Sequence, residues 1–273
     1  LTSSSQSEAS IGIFDSGIGG LTVLRALKEH LPQESFLYLG DTARLPYGTK
    51  SSDTIRRYLQ QNLAFMTRRG VKALVVACNT ASSVLTSNSH AGFPVFGVVE
   101  PGARAAARVT RNGKVGVLGT SATVASGAYP QALQKLNQEL EIIQTPCPLL
   151  VPLVEEGWEE DPITRDVLRR YLEVPMAQGV DTLILGCTHY PVLKPVIQDL
   201  VGNEVALVDS AEEIAAQLKT DLETGTISRG HGRAIRIMTT DTSLAFQTVG
   251  ARILQPYVVN DWHWADIEED KGK

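Results

Sequence analysis

Short apolar runs rich in Val, Ile and Leu alternate along this chain with longer stretches whose apolar positions recur every three or four residues. The runs at 11–14, 35–39, 72–77, 95–99, 115–118, 141–144, 182–186, 205–208 and 234–238 predict β-strands. The stretches at 21–30, 52–69, 101–109, 128–139, 163–178 and 211–222 predict amphipathic helices. Strands alternating with helices imply βαβ units, hence an α/β fold with mostly parallel sheets. Right-handed crossovers place the functional loops at the carboxyl ends of such strands.

The pattern repeats. VKALVVACNTA at 71–81 and VDTLILGCTHY at 180–190 match in register at an offset of 109, and each holds a cysteine. FGVVEPGARAAA at 96–107 aligns with VALVDSAEEIAA at 205–216 at the same offset. IGIFDSGIGGLTV at 11–23 pairs more loosely with VGVLGTSATVASG at 115–127, offset by 104. Two copies of one α/β unit therefore cover most of residues 11–222, with the strand near 234–238 extending the first. The expected domains are 1–98 plus 209–273, and 99–208. Residues 1–9 read as a loose polar tail, and DWHWADIEEDKGK at the other end as a charged tail whose two tryptophans dock on the surface.

Composition narrows the function classes. Of 273 residues, 43% are hydrophobic and 20% charged, an ordinary globular balance. The net charge of −5, with acids and bases interspersed, argues against a nucleic-acid surface. No run approaches the roughly 18 apolar residues of a membrane span, and the start lacks the pattern of a signal peptide. Three cysteines without CxxC spacing indicate neither a disulfide framework nor a zinc knuckle, and the expected compartment is the cytoplasm, where thiols stay reduced.

The candidate chemistry sits at the ends of the repeated strands. Cys78 and Cys187 each close a strand and are expected to open a helix, whose amino terminus would lower the thiol pKa. Two matched thiols suit an enzyme that removes a proton from one face of a carbon and returns it to the other. Cys147, in TPCP, has no such context and reads as packing. Asn79 and Thr80 after one cysteine, and Thr188 and His189 after the other, could hold a carboxylate by N–H and hydroxyl groups; Thr80 and Thr188 read equally well as helix caps. Asp15 and Ser16 lie in a glycine-rich turn that lacks nucleotide-binding spacing. Tyr47 and Gly48 could offer backbone contacts, and Glu155 or Glu156 a group near Cys187. A metal site is not indicated. Two other classes stay open on the residues alone: a binding protein closing on a small anion, and a redox thiol pair.

The segments IFDSGIGGLTV, DTARLPYG, VVACNTAS, LVPLVEEG and LGCTHYP, in that order over roughly residues 10–260, closely resemble the bacterial glutamate racemases of the cofactor-independent aspartate/glutamate racemase superfamily. The resemblance implies two pseudo-symmetric α/β domains with the active site in the cleft between them, and no cofactor. It implies Cys78 and Cys187 as the acid/base pair, with Asp15, Glu155 and His189 as auxiliary groups. Asp15, Ser16, Tyr47, Gly48, Asn79, Thr80, Thr188 and His189 become the substrate contacts. The implied partners are L-glutamate and D-glutamate, with a cell-wall precursor as candidate activator and a homodimer as candidate assembly. A related racemase acting on aspartate is the nearest alternative.

Overall fold

The computed structural model describes residues 9–86, 89, 90, 92–241 and 243–267; the outermost residues of both expected tails, 1–8 and 268–273, lie outside the described residues. Two sheets form the framework. The larger, seven-stranded among the described residues, runs in the order β11-β10-β2-β1-β3-β5-β4. Its strands are β1 (Ile11–Asp15), β2 (Phe36–Gly40), β3 (Ala73–Val76), β4 (Ser89–His90), β5 (Phe93–Gly97), β10 (Ile235–Thr239) and β11 (Trp262–Trp264). Neighbours are parallel except for β4, which runs antiparallel to β5 at one edge. The second sheet, in the order β7-β6-β8-β9, is wholly parallel: β6 (Lys114–Gly119), β7 (Glu141–Pro146), β8 (Thr182–Gly186) and β9 (Ala206–Val208).

All nine expected strands are present within a residue or two. Two further strands were not anticipated. β4 is a two-residue bridge, too short to leave a period. β11 revises the reading of the tail: Trp262–Trp264 pairs parallel with β10, and Trp262 is partly buried against the core beside Leu21 and Gly250, while Trp264 stays on the surface as expected, its indole N–H on the Thr240 carbonyl. A backbone ladder outranks the charged composition around it.

Both faces of both sheets are covered, as parallel strands require. On one face of the larger sheet, helix α1 (Leu21–His30) and helix α10 (Ser210–Glu223) pack together over Ile11, Ile13, Ala73 and Val75. On the other, helix α2 (Ser52–Arg68) covers Phe14, Leu74 and Val76. The period of two therefore decides where the thiols point. Cys78 continues the face of Leu74 and Val76, and Cys187 continues the face of Leu183 and Leu185.

Helix starts carry their own signals. Ser51 caps α2 by accepting from the Thr54 N–H, and Asp209 caps α10 by accepting from the Ala211 N–H. Helix α8 (Pro162–Ala177) opens on the Asp161 cap with Pro162 at its first position. The return to β10 is pinned by Lys28, whose buried Nζ donates to the carbonyls of Pro32, Glu34 and Arg233.

Candidate active site

At the carboxyl ends of β1, β3 and β8 the two halves enclose a cleft of roughly 230 Å³. Cys78, Cys187, Ser16, Tyr47, Gly48, Asn79, Thr80, Thr188, His189 and Glu155 all line it. Among the described residues its lining includes no Lys or Arg. A carboxylate here would be met by N–H and hydroxyl groups, with Leu45, Pro148, Val151 and Pro152 as apolar walls.

The two thiols have different partners. Cys78 is the amino-terminal cap of the single-turn helix α3 (Asn79–Ser82) and accepts from the Ala81 N–H at 3.4 Å. Its own S–H points to Ser16 Oγ, also at 3.4 Å. The expected lowering of its pKa is overturned. Burial, followed by the nearby Asp15 carboxylate, pushes the Cys78 thiol up to about 12, and the bonds to Ser16 and Ala81 recover only part of that. A single helical turn supplies too little field to offset full desolvation.

Cys187 does not open an α-helix. The chain passes through a turn into the short 3-10 helix Tyr190–Leu193 before helix α9 (Lys194–Val201) begins. Its partner is a side chain instead: His189 Nδ1 lies 3.8 Å from Cys187 Sγ, and His189 Nε2 lies 3.2 Å from Glu155 Oε1. Burial pulls the His189 imidazole down, but the bonds to Cys187 and Glu155 outweigh it and lift the ring to about 10. An imidazolium therefore stands beside this sulfur at neutral pH. Glu155 ends the short helix α7 (Leu150–Glu155).

Asp15 is fully buried beneath the cleft. It accepts from the Gly17 N–H at 2.9 Å and from the Thr188 hydroxyl at 3.3 Å. Burial raises its pKa, while His189 and the N–H groups of Gly17 and Gly20 oppose the rise. Gly19 lets the halves meet here. A Cβ at that position would stand 2.6 Å from Thr188 Oγ1 and closer still to His189 Nδ1. Gly48 does the same at the other lip, where a Cβ would stand 2.7 Å from the Thr120 Cβ.

The cap reading fails for both threonines. Thr188 spends its hydroxyl on Asp15, and Thr80 Oγ1 joins Thr120 Oγ1 at 2.9 Å and Thr123 Oγ1 at 3.1 Å. Tyr47 lines the cleft with its phenol turned to Asp41, which Arg44 also engages. Cys147 is fully buried with Sγ on the Thr145 carbonyl, a packing position. Sequence reasoning missed Thr120, Ser121 and Thr123. The weaker repeat offset maps Ser16 onto Thr120, so the signal was present in the second glycine-poor copy of the turn.

Comparison with known proteins places the chain in a family. The family model for Asp/Glu/hydantoin racemases matches residues 19–218. Glutamate racemase of Geobacter metallireducens is 52% identical over 221 residues, covering 80% of this chain and 82% of that protein. The crystal structure of Francisella tularensis glutamate racemase in complex with D-glutamate superposes with a TM-score of 0.88 at 34% identity, covering 96% of this chain and 99% of that one. That of Escherichia coli glutamate racemase, in complex with L-glutamate and the activator UDP-MurNAc-Ala, gives 0.78 at 29% identity, covering 94% and 98%. The chain belongs to the Asp/Glu/hydantoin racemase family and, within it, to the glutamate racemases.

Proposed function

We propose that this glutamate racemase works by two bases, with Cys78 and Cys187 on opposite faces of the substrate Cα. The observation that carries the reading is the placement of two thiols, one from each half, in a single cleft whose described lining has neither Lys nor Arg. One sulfur, as thiolate, takes the Cα proton and becomes a thiol. The other, as thiol, gives its proton to the opposite face and becomes a thiolate. The carbanionic charge is stabilised in passing by fixed N–H and hydroxyl donors in a site from which water is largely excluded.

The surroundings give the two sulfurs unlike partners for the proton. Cys78 is held as a thiol by burial and Asp15. Cys187 has the His189 imidazolium, itself steadied by Glu155, as a partner for negative charge. By the chain's resemblance to the glutamate racemases, Cys187 then deprotonates L-glutamate and Cys78 deprotonates D-glutamate. Ser16, Tyr47 and Gly48 through their backbone, Asn79, Thr80 and Thr188 hold the two carboxylates and the amino group, with Asp15 beneath them as a partner of Thr188.

In this reading the bodies that close on the substrate are residues 1–98 with 209–273, and residues 99–208. Supply of D-glutamate for peptidoglycan in the cytoplasm, activation by a cell-wall precursor as for the Escherichia coli protein, and a homodimeric assembly belong to the same proposal. The test is proton NMR of the protein with L-glutamate in D₂O, alongside polarimetry. Loss of the Cα–H signal together with decay of optical rotation is expected without added cofactor. A folded protein that produces neither, with and without UDP-MurNAc-Ala, would overturn the proposal.

A further inference from the structure

Tyr129, near the start of helix α6 (Ala128–Leu136), touches both thiol loops without lining the cleft. It is fully buried. Its hydroxyl donates to Asn79 Oδ1 at 2.6 Å, and Asn79 is the residue that follows Cys78. Its ring lies under Gly186, the residue that precedes Cys187: a Cβ there would stand 3.2 Å from Tyr129 Cε2. On a third side, a Cβ at Gly102 would stand 3.3 Å from the phenol oxygen. The ring is thus wedged between backbone segments, and its hydroxyl can reach across to the other half in one direction.

A side-chain amide has a carbonyl oxygen and an amino group back to back, and which end faces which way is set by its neighbours. The phenol donates to the carbonyl end of Asn79. The amino end is then left to the cleft that Asn79 lines, where an anionic substrate would meet it. The opposite orientation would aim an oxygen at a carboxylate.

We propose that Tyr129 is a positioning residue that fixes the Asn79 amide with its N–H groups toward a substrate carboxylate. The inference rests on the reading of Asn79 as a substrate contact. Burial and the proximity of Cys187 raise the phenol above its ordinary range, so the O–H donor persists at every working pH. An interaction with a carboxylate made equally in the ground state and the transition state acts on KM rather than kcat.

Tyr129→Phe keeps the ring and removes the donor. The expected result is a KM for L-glutamate and for D-glutamate raised about five- to tenfold, kcat within about twofold, and near-UV circular dichroism unchanged. Asn79→Ala measured alongside should raise KM at least as much, and adding Tyr129→Phe to it should do nothing more, since the hydroxyl acts through that amide. A rise in KM for Asn79→Ala with none for Tyr129→Phe overturns this inference alone. An unchanged KM for Asn79→Ala overturns the substrate contact and the inference together. A fall in kcat with KM intact, or an additive double mutant, would make Tyr129 a mere spacer and also overturn it.

Discussion

Thr188 and Asp15 lie 173 positions apart and meet at 3.3 Å, hydroxyl to carboxylate, beneath the cleft. The bond joins the loop that carries Cys187 to the turn that faces Cys78. With Thr22, whose hydroxyl donates to the Thr188 carbonyl at 3.1 Å, it fixes the second thiol loop against the first half. A buried carboxylate is retained here although burial disfavours its charge.

That cost gives a prediction with a definite sign. The folded pKa of Asp15 is raised above the ordinary 3.8. Above the folded value the native state bears the whole penalty of the buried charge; below 3.8 both states hold the proton and the penalty vanishes. Asp15→Asn should therefore raise Tm by about 2–4 °C at pH 7 while cutting racemisation at least about tenfold. The gain should shrink as pH falls toward 3.8. Thermal melts of both proteins across pH 4–8 check it, and a gain that grows on acidification would count against the argument.

Each thiol is expected to be indispensable. Cys78→Ala and Cys187→Ala should each lower racemisation about a thousandfold or more, since each removes the thiol assigned to one face. Polarimetry reads the loss. A single variant racemising near the wild-type rate would sink the two-base scheme.

His189 serves one sulfur only. His189→Asn should slow the direction in which Cys187 accepts the proton about 10–100-fold in kcat, and the reverse direction much less. Comparing kcat from L-glutamate with kcat from D-glutamate decides the matter; equal losses would place His189 elsewhere in the mechanism.

Gly19 is required by contact rather than by backbone conformation. Gly19→Ala drives a methyl into Thr188 Oγ1 and His189 Nδ1. The expectation is a loss of about 1–3 kcal/mol in stability and at least about a tenfold loss of activity, as the Cys187 loop shifts outward. Ser16→Ala, three residues earlier, removes only the hydroxyl that meets Cys78 and should leave Tm within about 2 °C. Differential scanning fluorimetry with the rate assay separates the two.

Much of this was legible in the sequence because parallel strands buried on both faces announce themselves as apolar runs. The repeat then located both thiols and the residues that follow them, Asn79, Thr80, Thr188 and His189, all of which line the cleft. Three features were hidden. β11 lies in a charged segment with no apolar alternation, and only its pairing with β10 makes it a strand. Glu155 ends a helical turn too short to show a period. His189, two residues after Cys187, was legible as that thiol's partner, but the Asp15 carboxylate beside Cys78 is a through-space neighbour that no local pattern encodes. Tyr129 was silent for the same reason: its hydroxyl partner is 50 positions away.

The halves repeat in fold but not in the company their thiols keep: Ser16 and a backbone N–H for one, His189 and Glu155 for the other. Mirror-image glutamates have the same free energy in water, so their equilibrium constant is one whatever the protein does. The unequal surroundings therefore cannot favour either product. They can appear only in linked pairs, the faster direction saturating at proportionately higher substrate, so that kcat/KM is identical both ways. A duplicated scaffold with unlike partners thus runs at two paces while remaining thermodynamically even-handed.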